Sequence, residues 1–568
     1  MYKNKTLCLT LGFVLSFFSG CVDADAEAEK ALQDLATKIV QKMTIEEKVG
    51  QLIHVGISGK YMRSGIDEEI GRYHPGGVIL FGPNFGSEQE IKDLNRKLQE
   101  SSLGHTGIPL LISTDQEGGR VIRIQQTTQF PGAMAMGQAG EPELARAVGF
   151  ATALELKGFG INLVLAPVLD INNNPGNPVI NTRSYGSNAK TVSAMGLAYM
   201  EGVQTAGSIP VIKHFPGHGD TTVDSHLNLP RITKSLDELK KNELIPFQEA
   251  IEKNAPALMT AHILFPALDP DHPATLSPRI VQELLRKQLG FNGLIFTDAM
   301  EMKAIADQYD SGPSAVMAIK AGVDVILLTA EGPNTRKMFQ AILESVQKGD
   351  ISEARINESV QRQIYWKLRT GVFAAHPSQK YAFANQDEKL NKYLQAQTSI
   401  LNQEKASLQS RYNGKLNQEV SRKSIVSLRK SFDGLNGQQV KKAFLFYRTA
   451  AARQQGLDLG IPQDHLIFYR AGHTWLFRIY DAKWAGPWLI ELEEADLPLW
   501  NLLVDRWKSR RSEPLLGLYS GNPFHDIHIP ENGAFLCSFS PTLESRKALV
   551  YRTANGPITQ ADLVLPAP

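Results

Sequence analysis

The chain has 568 residues, more than one ordinary hydrophobic core holds, so two domains and a leader are expected. Its apolar fraction of 42% and charged fraction of 21% are those of a globular protein and exclude disordered and fibrous classes. The 60 Lys and Arg against 59 Asp and Glu leave no broad basic field, so nucleic acid is not an expected partner.

In chain order, Lys3 and Lys5 precede an apolar run over 7–18, the length of a signal-peptide core and too short to span a bilayer comfortably. The run ends in Phe18-Ser19-Gly20-Cys21, which resembles the lipobox of bacterial lipoproteins. The resemblance implies a lipoprotein-type signal peptide over 1–21 whose cleavage leaves Cys21 as the acylated N-terminal residue, and attachment to a membrane by lipid in the cell envelope. Val22, where inner-membrane retention is associated with aspartate, tilts this towards the outer membrane in a Gram-negative host. A plain secretory leader is the competing reading. Either way Cys8 is lost, and Cys537 is the one unmodified thiol expected in the mature lipoprotein, which excludes an internal disulfide framework.

After a tether over 22–40, Thr44 stands three residues before Glu47, the capping-box spacing that starts a helix. β-Branched apolar runs over 52–55, 77–81, 109–113, 162–166, 210–214, 257–262, 294–297 and 323–328 then alternate with amphipathic segments. Eight such strands with crossover helices predict a closed (β/α)₈ barrel over 41–375. Ile356, Val360, Ile364 and Leu368 mark its last helix, and Gly371 is placed to end it. A polar linker with some helix is read over 376–420. A smaller α/β domain, sandwich-like, follows over 421–568, with strands expected at 424–428, 442–447, 466–469, 515–519 and 534–539.

A parallel barrel builds its active site at the carboxyl ends of its strands. Thr114-Asp115-Gln116-Glu117-Gly118-Gly119-Arg120 follows the third strand and Asp170 the fourth. The fifth leads into Lys213-His214-Phe215-Pro216-Gly217-His218-Gly219-Asp220 and on to Asp224-Ser225-His226. His262 ends the sixth, and Thr297-Asp298-Ala299-Met300 closes the seventh. These motifs resemble those of the family-3 glycoside hydrolases, specifically the β-N-acetylglucosaminidase branch, over roughly residues 40–372.

The resemblance implies an exo-acting retaining enzyme with Asp298 as nucleophile and Asp224/His226 as general acid/base, His226 replacing the second carboxylic acid of most glycosidases. Imidazole titrates near neutrality and can both donate and accept a proton. It also implies that Asp115, Arg123, Arg183, Lys213 and His214 bind the terminal sugar. From the residues alone, Asp298 could instead cap a helix, and Asp170 could serve site or scaffold. His214, His218 and His226 could ligate a metal, but Pro216 and Gly217 interrupt the spacing; no metal or cofactor is expected, and His218 reads as structuring the loop. Glu117 and Arg120 are expected to pair beneath their loop.

The second domain is similar to the family's at Ser424-Ile425-Val426-Ser427-Leu428-Arg429-Lys430, at Gly521-Asn522-Pro523-Phe524 and at Ser538-Phe539-Ser540-Pro541. Trp475, Trp484, Trp488, Trp500 and Trp507 depart from that likeness and are expected to serve core or interface before any sugar stacking. The expected substrate is a terminal N-acetylglucosaminide of peptidoglycan fragments. A family-3 glucosidase or xylosidase, an N-acetylglucosaminide phosphorylase, and a catalytically silent lipid-anchored sugar-binding protein are the alternatives.

Overall fold

The computed structural model describes residues 27–376, 378–381 and 414–424, and beyond these chiefly 426–427, 444–447, 449–459, 461–463, 466–468, 487–492, 496–507, 515–520 and 534–538. The leader with Cys21, the linker over 382–413, Trp475, Trp484 and Gly521 to Phe524 lie outside the described residues. A helix over 27–41 leads to the helix Ile45–Gln51, capped as expected: the Thr44 hydroxyl accepts from the Glu47 amide at 3.2 Å, and the Glu47 carboxylate accepts from the Thr44 amide at 3.0 Å.

Eight parallel strands follow and close on themselves. They are β1 (Ile53–Gly56), β2 (Gly77–Ile79), β3 (Leu111–Thr114), β6 (Leu163–Val164), β7 (Ile209–Phe215), β8 (Ala257–Thr260), β9 (Leu294–Ala299) and β10 (Val325–Leu328). A short hairpin, β4 (Gln116–Gly118) and β5 (Val121–Ile122), projects after β3. All eight expected strands are present, with ends displaced by up to a few residues. The last barrel helix is Glu353–Arg369, with Ile356, Val360, Ile364 and Leu368 buried and Gly371 in the left-handed region at φ 74° just beyond its end.

Alternation along the strands fixes the site. Leu111, Leu163, Ile209, Val211, Leu294 and Phe296 pack together inside the barrel, whereas Ile112, Ile212 and Ile295 join the larger core between strands and helices. Because side chains alternate with period two, Asp115, Lys213 and Asp298 fall on the inward-facing parity just where the interior opens at the carboxyl end.

The second sheet has six strands in the order β11-β16-β15-β14-β12-β13. These are β11 (Val426–Ser427), β12 (Phe444–Tyr447), β13 (Leu466–Phe468), β14 (Trp488–Leu492), β15 (Leu515–Tyr519) and β16 (Ala534–Cys537). Only β11 runs antiparallel to its neighbour. β14 is a strand that the sequence reading did not find. Trp488 on it and Trp500 on the helix Leu497–Trp507 are fully buried, so both are core residues. This part touches the barrel beside the β4–β5 hairpin: Asn417 donates to the Gln129 carbonyl at 3.1 Å, and the Gly132 amide donates to the Ser540 hydroxyl at 3.4 Å.

Candidate active site

The carboxyl ends of the strands surround a cavity of about 560 Å³ lined by, among others, Asp115, Glu117, Arg123, Arg183, Lys213, His214, His226 and Asp298. A cleft of about 680 Å³ opens elsewhere, beside residues 290–293 and the helix Glu353–Arg369. It adjoins the loops that enter the strands, the end of a barrel associated with stability and not with chemistry.

Asp298 lies within β9, and its carboxylate accepts the Ala299 amide at 2.8 Å. The helix that follows begins at Lys303 with Met302 at its cap, so the helix-cap alternative for Asp298 does not apply. Burial alone would raise its pKa. His214, His262, the Ala299 amide and the Lys213 ammonium outweigh that and hold the carboxyl below its ordinary value, ionised at neutral pH. His262, at the end of the sixth strand, receives a role the sequence did not indicate: its Nδ1 meets the Thr275 hydroxyl at 2.8 Å and its Nε2 the Ala299 carbonyl at 3.0 Å. It fixes the carbonyl of the residue that follows Asp298.

One wall of the cavity is a chain of ion pairs. Lys213 Nζ stands 2.7 Å from both Asp115 and Glu117, and the Arg183 guanidinium grips Glu117 through Nε at 2.9 Å and Nη2 at 2.8 Å. Arg123 approaches Asp115 at 3.9 Å. Burial would raise Glu117, but Arg183 and Lys213 hold its carboxyl far below the carboxylate range. Burial would likewise lower Lys213, and Asp115 and Glu117 keep its ammonium above its usual value. The expected Glu117–Arg120 pair is corrected here. Gly118 and Gly119, at φ 85° and 58°, turn the hairpin so that Arg120 is exposed, and Glu117 meets Arg183 from a distant loop instead.

His214 would face outward by strict alternation. The β7–β8 register shifts between Lys213 and Phe215, and a shift of this kind re-aims side chains, bringing His214 into the cavity lining. Asp170, ambiguous in the sequence, is fully buried and organises this segment. Its carboxylate accepts His214 Nδ1 at 2.6 Å, the His214 amide at 3.1 Å and the His218 amide at 2.7 Å. Asp170 therefore belongs to the scaffold that orients a site residue.

Asp224 and His226 sit on the long loop after β7. His226 Nδ1 and its backbone amide both lie 2.8 Å from Asp224 Oδ1, leaving Nε2 of a side chain 61% exposed to meet a ligand. Burial would raise Asp224, and the two bonds from His226 more than reverse it, so the carboxyl lies below its ordinary value. The loop base is tied down: Asn177 donates to the His218 and Gly219 carbonyls at 2.8 and 2.9 Å, and His218 Nε2 meets the Ser225 hydroxyl at 3.0 Å. Any side chain at Gly219 would clash with the Ile171 carbonyl oxygen. Burial and the neighbouring His214 push the His218 imidazole down to about 4, which suits the loop-structuring role read for it.

Residues 44–365 match the Glycosyl hydrolase family 3 N terminal domain, more than half of the chain. The chain belongs to glycosyl hydrolase family 3. It is 36% identical over 321 residues to Beta-hexosaminidase A of Pseudoalteromonas piscicida, a match covering 52% of this chain and 54% of that protein, so it spans about half of that relative's length. A Beta-hexosaminidase of Tolumonas auensis is 37% identical over 289 residues, covering 50% of this chain and 83% of its own. Among solved structures, a family 3 beta-N-acetylglucosaminidase from a Paenibacillus species aligns over 93% of this chain and 99% of its own, at 30% identity and a TM-score of 0.76. The family-3 assignment makes this a glycoside hydrolase built on a (β/α)₈ barrel with a further small sheet.

Proposed function

We propose that this family-3 hydrolase is an exo-acting, retaining β-N-acetylglucosaminidase that removes terminal β-linked N-acetylglucosamine from fragments of the cell wall. The observation that carries the reading is that Asp298, the Asp224–His226 pair and the Asp115–Lys213 pair line or border one cavity at the carboxyl end of the barrel. Relatives named for hexosaminidase and N-acetylglucosaminidase activity support the choice of sugar.

In the proposed reaction Asp298, kept ionised by the groups around it, attacks the anomeric carbon. The glycosidic C–O bond breaks as His226 Nε2 donates its proton to the leaving oxygen. Asp224 holds the imidazole through Nδ1 and stabilises its protonated form. The aglycone departs, the neutral imidazole takes a proton from water, and the hydroxide equivalent releases the sugar with its original configuration. Asp115, Arg123, Arg183, Lys213 and His214 read the hydroxyls of the terminal ring, and a sugar lacking a partner hydroxyl leaves buried groups unpaired. Export on a leader with acylation of Cys21 belongs to the same proposal.

The test is hydrolysis of 4-nitrophenyl β-glycosides by the purified protein, with the anomeric product followed by NMR. Release from the N-acetylglucosaminide with retained configuration is expected. Release from the glucoside alone, or inversion, overturns the reading.

A further inference from the structure

The loop that carries Asp224 and His226 leaves β7 after Phe215 and rejoins the scaffold at the helix Leu236–Lys241. It is pinned at both ends. At the start, the His218 amide donates to Asp170, and Asn177 holds the His218 and Gly219 carbonyls. At the end, the Leu264 amide donates to the Pro230 carbonyl and the Ile232 amide to the Leu264 carbonyl, each at 3.0 Å. Between these points the tip meets the short helix Lys303–Ala306, where the Ala304 amide donates to the Ser225 carbonyl at 3.4 Å. The 2.8 Å contact between Asp224 and His226 is internal to this tip, so it orients the imidazole relative to Asp224 and leaves its distance from Asp298 to the neck of the loop.

A set of ion pairs crosses that neck. Lys234 Nζ lies 2.7 Å from Asp220 Oδ2, where the tip begins, and 2.6 Å from Glu243 Oε1, between the helices Leu236–Lys241 and Ile245–Glu252. Glu243 is buried and firmly held. The Asn173 amide group donates to its Oε1 at 2.7 Å, and its Cβ stands 3.0 Å from where a Cβ on Gly217 would lie. Burial would lower the Lys234 ammonium, but Asp220 and Glu243 keep it above its usual value, so both bonds are charge-assisted. The Asp220–Lys234 contact closes residues 220–234 into a ring that contains Asp224 and His226 and is fastened to the barrel through Glu243. Lys234 and Asp220 themselves stand outside the cavity lining.

We propose that Lys234 is a positioning residue for the acid/base step: by bracing Asp220 against Glu243 it sets how far His226 reaches into the cavity over Asp298. This rests on the proposed glycosidase activity and adds a residue to it that touches no substrate. Proton donation requires His226 Nε2 within hydrogen-bond reach of the leaving oxygen, so a tip displaced as a body loses acid catalysis although its Asp224–His226 pair is intact. The nucleophile and the groups around Asp115 lie on other elements and keep their places.

The experiment uses the whole chain and two N-acetyl-β-glucosaminides, one with a dinitrophenyl leaving group, which departs without a proton, and one with phenyl, which needs it. Their kcat/KM values are measured in the native protein, Lys234→Met, Lys234→Arg, Asp220→Asn, His226→Gly and the double variant Asp220→Asn/His226→Gly. Loss of a partly exposed charge-assisted bond predicts a fall of about three- to thirtyfold on the phenyl glycoside in Lys234→Met and Asp220→Asn, with the dinitrophenyl value close to native. Lys234→Arg keeps the charge and recovers most of the loss. In the double variant Asp220→Asn adds nothing to His226→Gly, because no acid remains to be placed. Asp220→Asn leaves the Lys234–Glu243 contact in place and carries the test if Lys234→Met fails to fold. Equal falls on both substrates, additive losses in the double variant, or native values in Asp220→Asn each overturn the inference while leaving the activity standing. Failure of the native protein to cleave either substrate overturns the activity reading itself and this inference with it.

Discussion

Asp170→Asn isolates how much of the site's function depends on a residue that touches no substrate. Asparagine preserves volume and can place its one oxygen where Oδ1 accepts the His214 and His218 amides at 3.1 and 2.7 Å. Its NH₂ group then occupies the Oδ2 position, 2.6 Å from His214 Nδ1, and that nitrogen must become an acceptor with the imidazole proton moved to Nε2. The charge-assisted bond between the carboxylate and His214 Nδ1 is lost. Such a bond contributes about 1.5–3 kcal/mol, equivalent to roughly 10- to 150-fold in rate if it is fully expressed in the transition state. Asp298 is affected as well, since His214 is foremost among the neighbours that keep it ionised against burial. The expected result is a fall of that size in kcat/KM on an aryl N-acetylglucosaminide, with a cooperative melt close to native. Native kcat/KM in a protein that melts normally would refute the argument that Asp170 acts through His214.

The remaining predictions use the same logic. His226→Gly should slow departure of poor leaving groups far more than of activated aryl ones, and equal losses for both would count against His226 as the acid. Glu117→Gln should lower stability by about 3–5 kcal/mol, because it strands Arg183 and part of the charge on Lys213 in a buried site. Adding Arg183→Met should recover part of that loss in thermal melts, and strict additivity would refute the pairing. Asp324, fully buried, would have its pKa raised by burial, but Arg286, Arg362 and Arg355 hold it below its ordinary value. A depressed carboxyl contributes stability above its unfolded pKa and loses it as pH falls through the folded value. The melting temperature should therefore drop on acidification below about pH 4 in the native protein and much less steeply in Asp324→Asn, where the contribution is already gone. Cys21→Ala should abolish incorporation of labelled fatty acid and release the protein from membranes; retained labelling would refute lipidation at that residue.

The barrel was legible because its strands are almost wholly buried and read as short, mainly apolar runs, while capping at Thr44 and termination at Gly371 use local chemistry that a few neighbouring residues decide. β14 escaped notice because Trp488 begins it inside a tryptophan-rich stretch, where bulky aromatics suit strand, helix or surface equally well. The same division runs through the site. The inward parity of Asp115, Lys213 and Asp298 follows from period two and from the strand ends alone. The entry of His214 depends on a register shift between neighbouring strands, and the partner of Glu117 is Arg183, 66 residues away, in preference to Arg120 three residues on. No periodicity encodes either. Asp224 and His226 are intermediate: their 2.8 Å contact needs only the two-residue spacing of a turn, but what aims the pair is contributed by Asn177, His218 and the Lys303–Ala306 segment. The residues assigned to the chemistry thus lie where local rules place them, whereas the residues that orient them are recruited across the barrel. Substitutions at Asp170, His262 and Asn177 should accordingly change the reaction although none of them is among its reactants.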